Sequence, residues 1–171
     1  TVAIFLPNRL EYLPIWFGLQ KVGVASALIN NQLIGPALAH CITISGAAHI
    51  IIDEETAEAF TTVKPLLSTP LNVWTLGLAQ GGQRDLSQAL KAVSALRPDR
   101  SARGDLTARD TALFIYTSGT TGLPKAARIT HTRAQLYMRG FAGATGAVES
   151  DRIYVTLPLY HATGGLCGTG A

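Results

Sequence analysis

Short runs of consecutive apolar residues alternate along the chain with longer stretches in which apolar residues recur every three or four positions. The first rhythm marks strands buried on both faces; the second marks amphipathic helices. Val2–Leu6, VAIFL, predicts a buried strand. Asn8 with Glu11 three residues on has an N-cap pattern. It predicts a helix through about Lys21, with Leu13, Trp16, Phe17 and Leu19 turned inward and Gly23 as its stop. Strands follow at Val24–Ile29, Ala48–Ile52 and Leu71–Leu76, and helices at Pro36–Ser45, Asp53–Leu67 and Asp85–Leu96. The helix at Pro36 has Pro at its start and Gly46 as its stop, and the one at Asp53 begins with acids. Leu86, Leu90, Val93 and Leu96 stand at helical spacing and define the apolar face of the helix at Asp85.

A polar, turn-rich connection, Arg97–Arg109, delivers the chain to a strand at Thr111–Tyr116. After a glycine-rich loop come a short strand at Ala126–Ile129, a helix at Thr130–Gly143 and a last strand at Arg152–Leu157, ending at Pro158. Strands alternating with helices predict an α/β fold with a mainly parallel sheet flanked by helices.

Composition narrows the class of partner. The 171 residues are 47% apolar and 15% charged, enough apolar surface for one packed domain and too much for a disordered chain. The net charge of +3 is spread out with no Lys/Arg run, which argues against a nucleic-acid partner. Cys41 and Cys167, far apart and outside any metal-ligand spacing, are expected to be reduced thiols. No apolar run approaches the ~18 residues of a membrane span. The chain opens on a strand-like run, without a signal-peptide pattern. Thr1 at the start, Met138 as the only methionine and an uncovered glycine-rich end lead us to expect a piece of a larger domain, cut at both ends.

The chemistry concentrates in Thr117-Ser-Gly-Thr-Thr-Gly-Leu-Pro-Lys125. Its glycines let backbone N–H groups approach an anion and form a nest. The hydroxyls of Thr117, Ser118, Thr120 and Thr121 add donors, and Lys125 adds a positive charge. Each hydrogen bond to an ionised partner contributes roughly 1.5–3 kcal/mol, so a few such contacts suffice to hold a polyphosphate. A strand leading into the loop puts it at the carboxyl edge of a parallel sheet, where ligands bind in such folds. The loop is not a Walker loop: Lys125 follows Pro124 and precedes Ala126, which breaks the G-x-x-x-x-G-K-[ST] pattern. The other prominent side chains read as structural: Trp16 and Phe17 as core, and His40 and His49 as satisfied histidines within apolar elements. His131 reads as a helix-boundary residue, and Arg100, Arg103 and Arg109 as a solvated face.

Tyr116–Lys125, YTSGTTGLPK, resembles the signature of the adenylate-forming (AMP-binding) superfamily: acyl- and aryl-CoA synthetases, luciferases and peptide-synthetase adenylation domains. Leu19–Leu33, LQKVGVASALINNQL, with Ala37–Cys41, is similar to the fatty acid transport protein or very-long-chain acyl-CoA synthetase branch. Leu157–Gly165, LPLYHATGG, resembles that branch's next motif. Residues 54–109 are the least diagnostic.

The resemblance implies that residues 1–171 are a partial N-terminal AMP-binding domain, without the small C-terminal lid domain. It implies ATP, Mg2+ and coenzyme A, and activation of a long-chain or very-long-chain fatty acid to acyl-AMP and then acyl-CoA. Tyr116, Thr117, Ser118, Gly119, Thr120, Thr121, Gly122 and Lys125 are then the ATP-binding set. Lys125 and His161 are the catalytic candidates, and Thr120 is the magnesium ligand. Without the resemblance, His161 reads as a loop histidine bonded to backbone after Pro158. Fatty acid uptake with secondary ligase activity, and ligation of medium-chain or aryl acids, are the alternatives. A cytoplasmic site, or one at the cytoplasmic face of a membrane with peripheral association, goes with either. Residues 1–171 alone are expected not to turn over.

Overall fold

The structure, a computed structural model, describes residues 1–77, 79, 81–118 and 122–171. Among these residues seven strands form one sheet in the order β5-β4-β3-β1-β2-β6-β7. They are β1 (Val2–Ile4), β2 (Ser26–Leu28), β3 (His49–Asp53), β4 (Asn72–Leu76), β5 (Arg84–Asp85), β6 (Thr111–Thr117) and β7 (Lys125–Thr130). Every pairing is parallel except β6 with β7. The helices are α1 (Tyr12–Lys21), α2 (Gly35–Ile44), α3 (Glu54–Val63), α4 (Leu86–Lys91) and α5 (His131–Thr145), and a π-helical segment spans Ala162–Thr169.

The continuous apolar runs belong to strands covered on both sides. Val2, Ile4, Leu6, Leu28 and Ile51 pack with Tyr12 and Trp16 of α1, Ala134 of α5 and Leu166. Ala3, Phe5, Ala27, Ile29, Ile50 and Ile52 point the other way, against Leu38, Ala39 and Ile42 of α2 and Phe60 and Val63 of α3. Burying an aliphatic or Phe side chain of this kind contributes roughly 1.5–3 kcal/mol before entropy is counted.

One buried polar group ties the two sides together. Asp53 Oδ1 accepts the N–H groups of Glu55 and Thr56 at 3.1 Å each, capping α3. Its Oδ2 accepts from Arg9 Nη1 at 2.8 Å. Thr56 completes a capping box and donates its hydroxyl to the Phe5 carbonyl at 2.9 Å, anchoring α3 to the end of β1.

Several expectations are corrected. Asn8 does not cap α1: the helix starts at Tyr12, its N-cap is Glu11, and no side chain caps it. Tyr12 and Trp16 are the buried residues of α1, whereas Phe17 is 37% exposed and stacks on Trp16 at 5.2 Å. The helix at Asp85 is capped by Asp85 but ends at Lys91. Val93 and Leu96 lie beyond it and are exposed, Leu96 by 83%, and Leu90 within it is exposed too. Arg152–Leu157 forms no strand, and Tyr154 within it is 91% exposed. Among the described residues no strand pairs with it. The strand after the loop is longer than expected and antiparallel, Lys125 pairing with Thr117. His131 opens α5 directly after its N-cap Thr130, a boundary position as expected. His49 Nδ1 accepts from the Trp74 indole at 3.2 Å, a satisfied structural histidine.

Both cysteines are free. Burial pushes the Cys41 thiol up to about 11, so at pH 8 only ~0.1% of it is thiolate. Alkylation of the native protein at pH 8 is expected to mark Cys167 and spare Cys41, with both marked in urea; peptide mapping that finds Cys41 labelled equally fast in both states contradicts this burial. Asp53→Ala should lower stability by about 2 kcal/mol in denaturant unfolding, through loss of the cap and of the Arg9 bond. Asp53→Asn, which retains the capping oxygen, should lose about half as much.

Candidate functional site

Parallel strands release their following segments at one edge of the sheet, and that edge is where the sequence places its chemistry. β2 ends at Leu28 and leads through Asn30 and Leu33 into α2; its neighbour β6 ends at Thr117 and leads into the glycine-rich loop. Between these two segments opens a cleft of about 640 Å³. Asn30, Leu33 and Ala37 line one wall, Thr117, Ser118, Gly122 and Pro124 another, and Tyr160–Thr163 close it.

Tyr116 is more anchor than ligand-facing donor. Its ring is buried on the α2 side and its hydroxyl donates to the Cys41 carbonyl at 2.9 Å. Burial pushes that hydroxyl's pKa well above its ordinary value, so it stays protonated and keeps donating. Thr117 and Ser118 are exposed on the cleft wall. Gly119, Thr120 and Thr121, including the expected magnesium ligand Thr120, lie outside the described residues. Gly122 has φ +95°, a backbone state that a side chain would strain. Lys125 is exposed as the first residue of β7, beside Thr117 in the ladder, and is not part of the cleft lining.

Across the cleft stands His161, exposed, with its ring 4.7 Å from that of Tyr160. Its backbone N–H donates to the Pro158 carbonyl at 3.1 Å, as expected of a loop histidine after a proline, while its side chain faces the cleft. Two devices hold this segment. Asn8, in the connection between β1 and α1, donates to the Leu157 carbonyl at 3.3 Å and accepts the Leu159 N–H at 2.9 Å. Gly164 and Gly165 fit closely beneath it: a Cβ at either would overlap the backbone oxygen of Pro158 or Leu159.

The fold thus gathers Tyr116, Thr117, Ser118, Gly122 and His161 around one cleft and sets Lys125 at its rim. Sequence reasoning missed Asn8, Asn30, Tyr160 and His40. His40 Nε2 lies 3.0 Å from the Pro124 carbonyl oxygen. Nothing in the sequence joins two residues so far apart; for Tyr160, adjacency to His161 was the available signal.

A second cavity of about 240 Å³, lined by residues from Ile42 to Asn72, has no titratable side chain. An apolar groove of about 500 Å³ runs between α1 and α4.

Comparison with known proteins identifies the family and the fold. A family model described as AMP-binding enzyme matches residues 1–171. Long-chain fatty acid transport protein 3 of Mus musculus is 39% identical over 176 residues, covering 98% of this chain and 26% of that protein. Its Homo sapiens counterpart is also 39% identical, over 98% of this chain and 25% of its own length. The chain therefore spans about a quarter of these relatives. Among solved structures, a long-chain-fatty-acid-CoA ligase of Archaeoglobus fulgidus superposes with TM-score 0.81 at 23% identity, covering 99% of this chain and 32% of that one. An anthranilate CoA ligase in complex with anthranoyl-AMP gives 0.80 at 22% identity, covering 96% and 32%. These superpositions show a shared fold.

Asn8→Ala is expected to free the His161 segment without unfolding the sheet. Native-state hydrogen exchange should show the Leu159 amide losing protection at least about ten-fold while the β1 and β3 amides keep theirs. Equal protection at Leu159 in both proteins would mean that Asn8 does not hold it.

Proposed function

Because the chain belongs to the AMP-binding enzyme family, we propose that it is part of the N-terminal domain of a longer fatty acid–CoA ligase, acting on long-chain or very-long-chain acids. The observation that carries the proposal is the cleft that opposes the Thr117–Pro124 loop to Tyr160–Thr163. The 39% identity to proteins named long-chain fatty acid transport proteins supports a fatty acid over another carboxylate.

The reaction has two displacements. A carboxylate oxygen attacks the α-phosphorus of ATP, the bond to pyrophosphate breaks, and acyl-AMP forms. The thiolate of coenzyme A then attacks the acyl carbon and AMP leaves. The first step brings two anions together, so its barrier is electrostatic. Donors fixed in advance where charge gathers lower such a barrier most.

In this chain Thr117 and Ser118 offer hydroxyl donors on the cleft wall, and Gly122 lines the same cleft with φ +95°. Gly119, Thr120 and Thr121 complete the proposed phosphate-binding set. Lys125 adds a positive charge at the rim, and Tyr116 holds the root of the loop through Cys41. His161, exposed on the opposite wall, is proposed to line the path of the acyl group and thiol. The described lining contains hydroxyls and no carboxylate. A magnesium ion arriving with ATP would screen the phosphates, with Thr120 as its proposed ligand in this chain.

The relatives' name favours a second reading, fatty acid uptake at a membrane with ligase activity secondary. No helix among the described residues is long and apolar enough to cross a membrane. We place the protein in the cytoplasm or at the cytoplasmic face of a membrane, associated peripherally.

With palmitate, the full-length protein should support ATP–pyrophosphate exchange. Lys125→Ala should reduce that exchange by about ten-fold or more, as expected for loss of a charge-assisted contact. Undiminished exchange by Lys125→Ala counts against the loop's assignment. Palmitate uptake that persists in cells carrying this variant favours the transport reading. Residues 1–171 alone should form no acyl-CoA.

A further inference from the structure

We infer that His40 is a positioning residue for the proposed nucleotide site, fixing the Pro124 carbonyl at the point where the glycine-rich loop returns to the sheet. The inference rests on the phosphate-binding role proposed above. The loop has two rims, and one turn of α2 holds both. At the near rim, the Tyr116 hydroxyl donates to the carbonyl of Cys41 at 2.9 Å. At the far rim, Nε2 of the adjacent His40 meets the carbonyl of Pro124 at 3.0 Å. Between them lie Thr117, Ser118 and Gly122, which line the cleft.

The chemistry of the pair settles which atom donates. A carbonyl oxygen only accepts, so the His40 nitrogen facing Pro124 carries the hydrogen. Proline has no N–H of its own, so its carbonyl is the one backbone polar group at that residue. Left free to turn into the cleft, that oxygen would present negative charge to the phosphates. Bonded to His40, it is committed to the α2 side. The Pro124–Lys125 peptide is trans, so the Lys125 N–H points the opposite way from that carbonyl. His40 therefore orients both ends of one peptide dipole at the point where the loop returns to the sheet. It touches no nucleotide itself. Its proposed role is exerted through Pro124.

The test is steady-state ATP–pyrophosphate exchange by the full-length protein with palmitate, comparing His40→Ala, His40→Phe and His40→Gln. Phe retains a planar ring and removes the donor; Gln removes the ring and retains a donor. One neutral hydrogen bond corresponds to a change of about five- to ten-fold in an equilibrium constant. The Ala and Phe variants should therefore raise KM for ATP about five- to ten-fold, with KM for palmitate and kcat within about three-fold of wild type. Gln should recover KM for ATP to within about two-fold. An unchanged KM for ATP in the Phe variant, or a Phe and a Gln variant that behave alike, overturns the inference. If all three variants unfold, His40 serves the fold and not the loop, and the inference falls as well. Lys125→Ala separates the two levels: if it abolishes exchange while His40→Phe leaves KM for ATP unmoved, only the positioning role is lost.

Discussion

The site depends on the parallel pairing of β2 with β6. Ser26, Ala27 and Leu28 lie beside Leu113, Phe114 and Ile115, residues separated from them by more than half the chain. That pairing sets the start of α2 and the root of the glycine-rich loop side by side at one edge of the sheet. The pairing is possible because both strands are apolar on both faces and are covered by helices above and below. Without it, Tyr116 would not reach Cys41, Pro124 would not reach His40, and the cleft would lose one of its walls.

A loop proposed to bind phosphates has to reconcile two demands. Its backbone must adopt conformations that leave N–H groups unpaired and available, yet it must not spend the ligand's binding energy on being ordered. Here the two ends of the loop are held from outside it. The β6–β7 ladder holds its ends together, and α2 holds its flanks through a buried hydroxyl and an imidazole. The opposite wall is treated in the same way: Asn8 and the close fit of Gly164 and Gly165 hold the segment that presents His161. Both walls are thus held by groups distant in sequence, Cys41 and His40 on one side and Asn8 on the other.

The architecture was legible because buried parallel strands advertise themselves as apolar runs, unbroken in Val2–Leu6 and interrupted only by His49 in Ala48–Ile52. The glycine-rich loop was legible because few other arrangements place four hydroxyls, two glycines and a lysine after an apolar strand. What could not be read were relations between distant residues. Asn8 has the sequence context of a helix cap, yet its amide is used by Leu157 and Leu159. His40 looks like one more residue of an apolar helix until Pro124 is brought against it. The segment from Val93 to Leu96 has helical spacing, but spacing predicts a helix only where a surface exists to receive it. Arg152–Leu157 fails in the corresponding way, apolar and polar by turns with no neighbouring strand. Trp16 is buried as its spacing predicts, whereas Tyr12 was hidden by the same error that promoted Phe17, a misjudged phase of α1.

The antiparallel return of β7 makes the number of residues between Thr117 and Lys125 a geometric quantity. In a pleated ladder successive side chains alternate between faces, and Ile129 is buried because Lys125 faces Thr117. Adding or removing one residue in the loop would either turn Ile129 outward and Arg128 into the core or force a bulge to absorb the slip. Side chains within the loop can be exchanged without disturbing the sheet, but its length is gauged by the ladder that closes it.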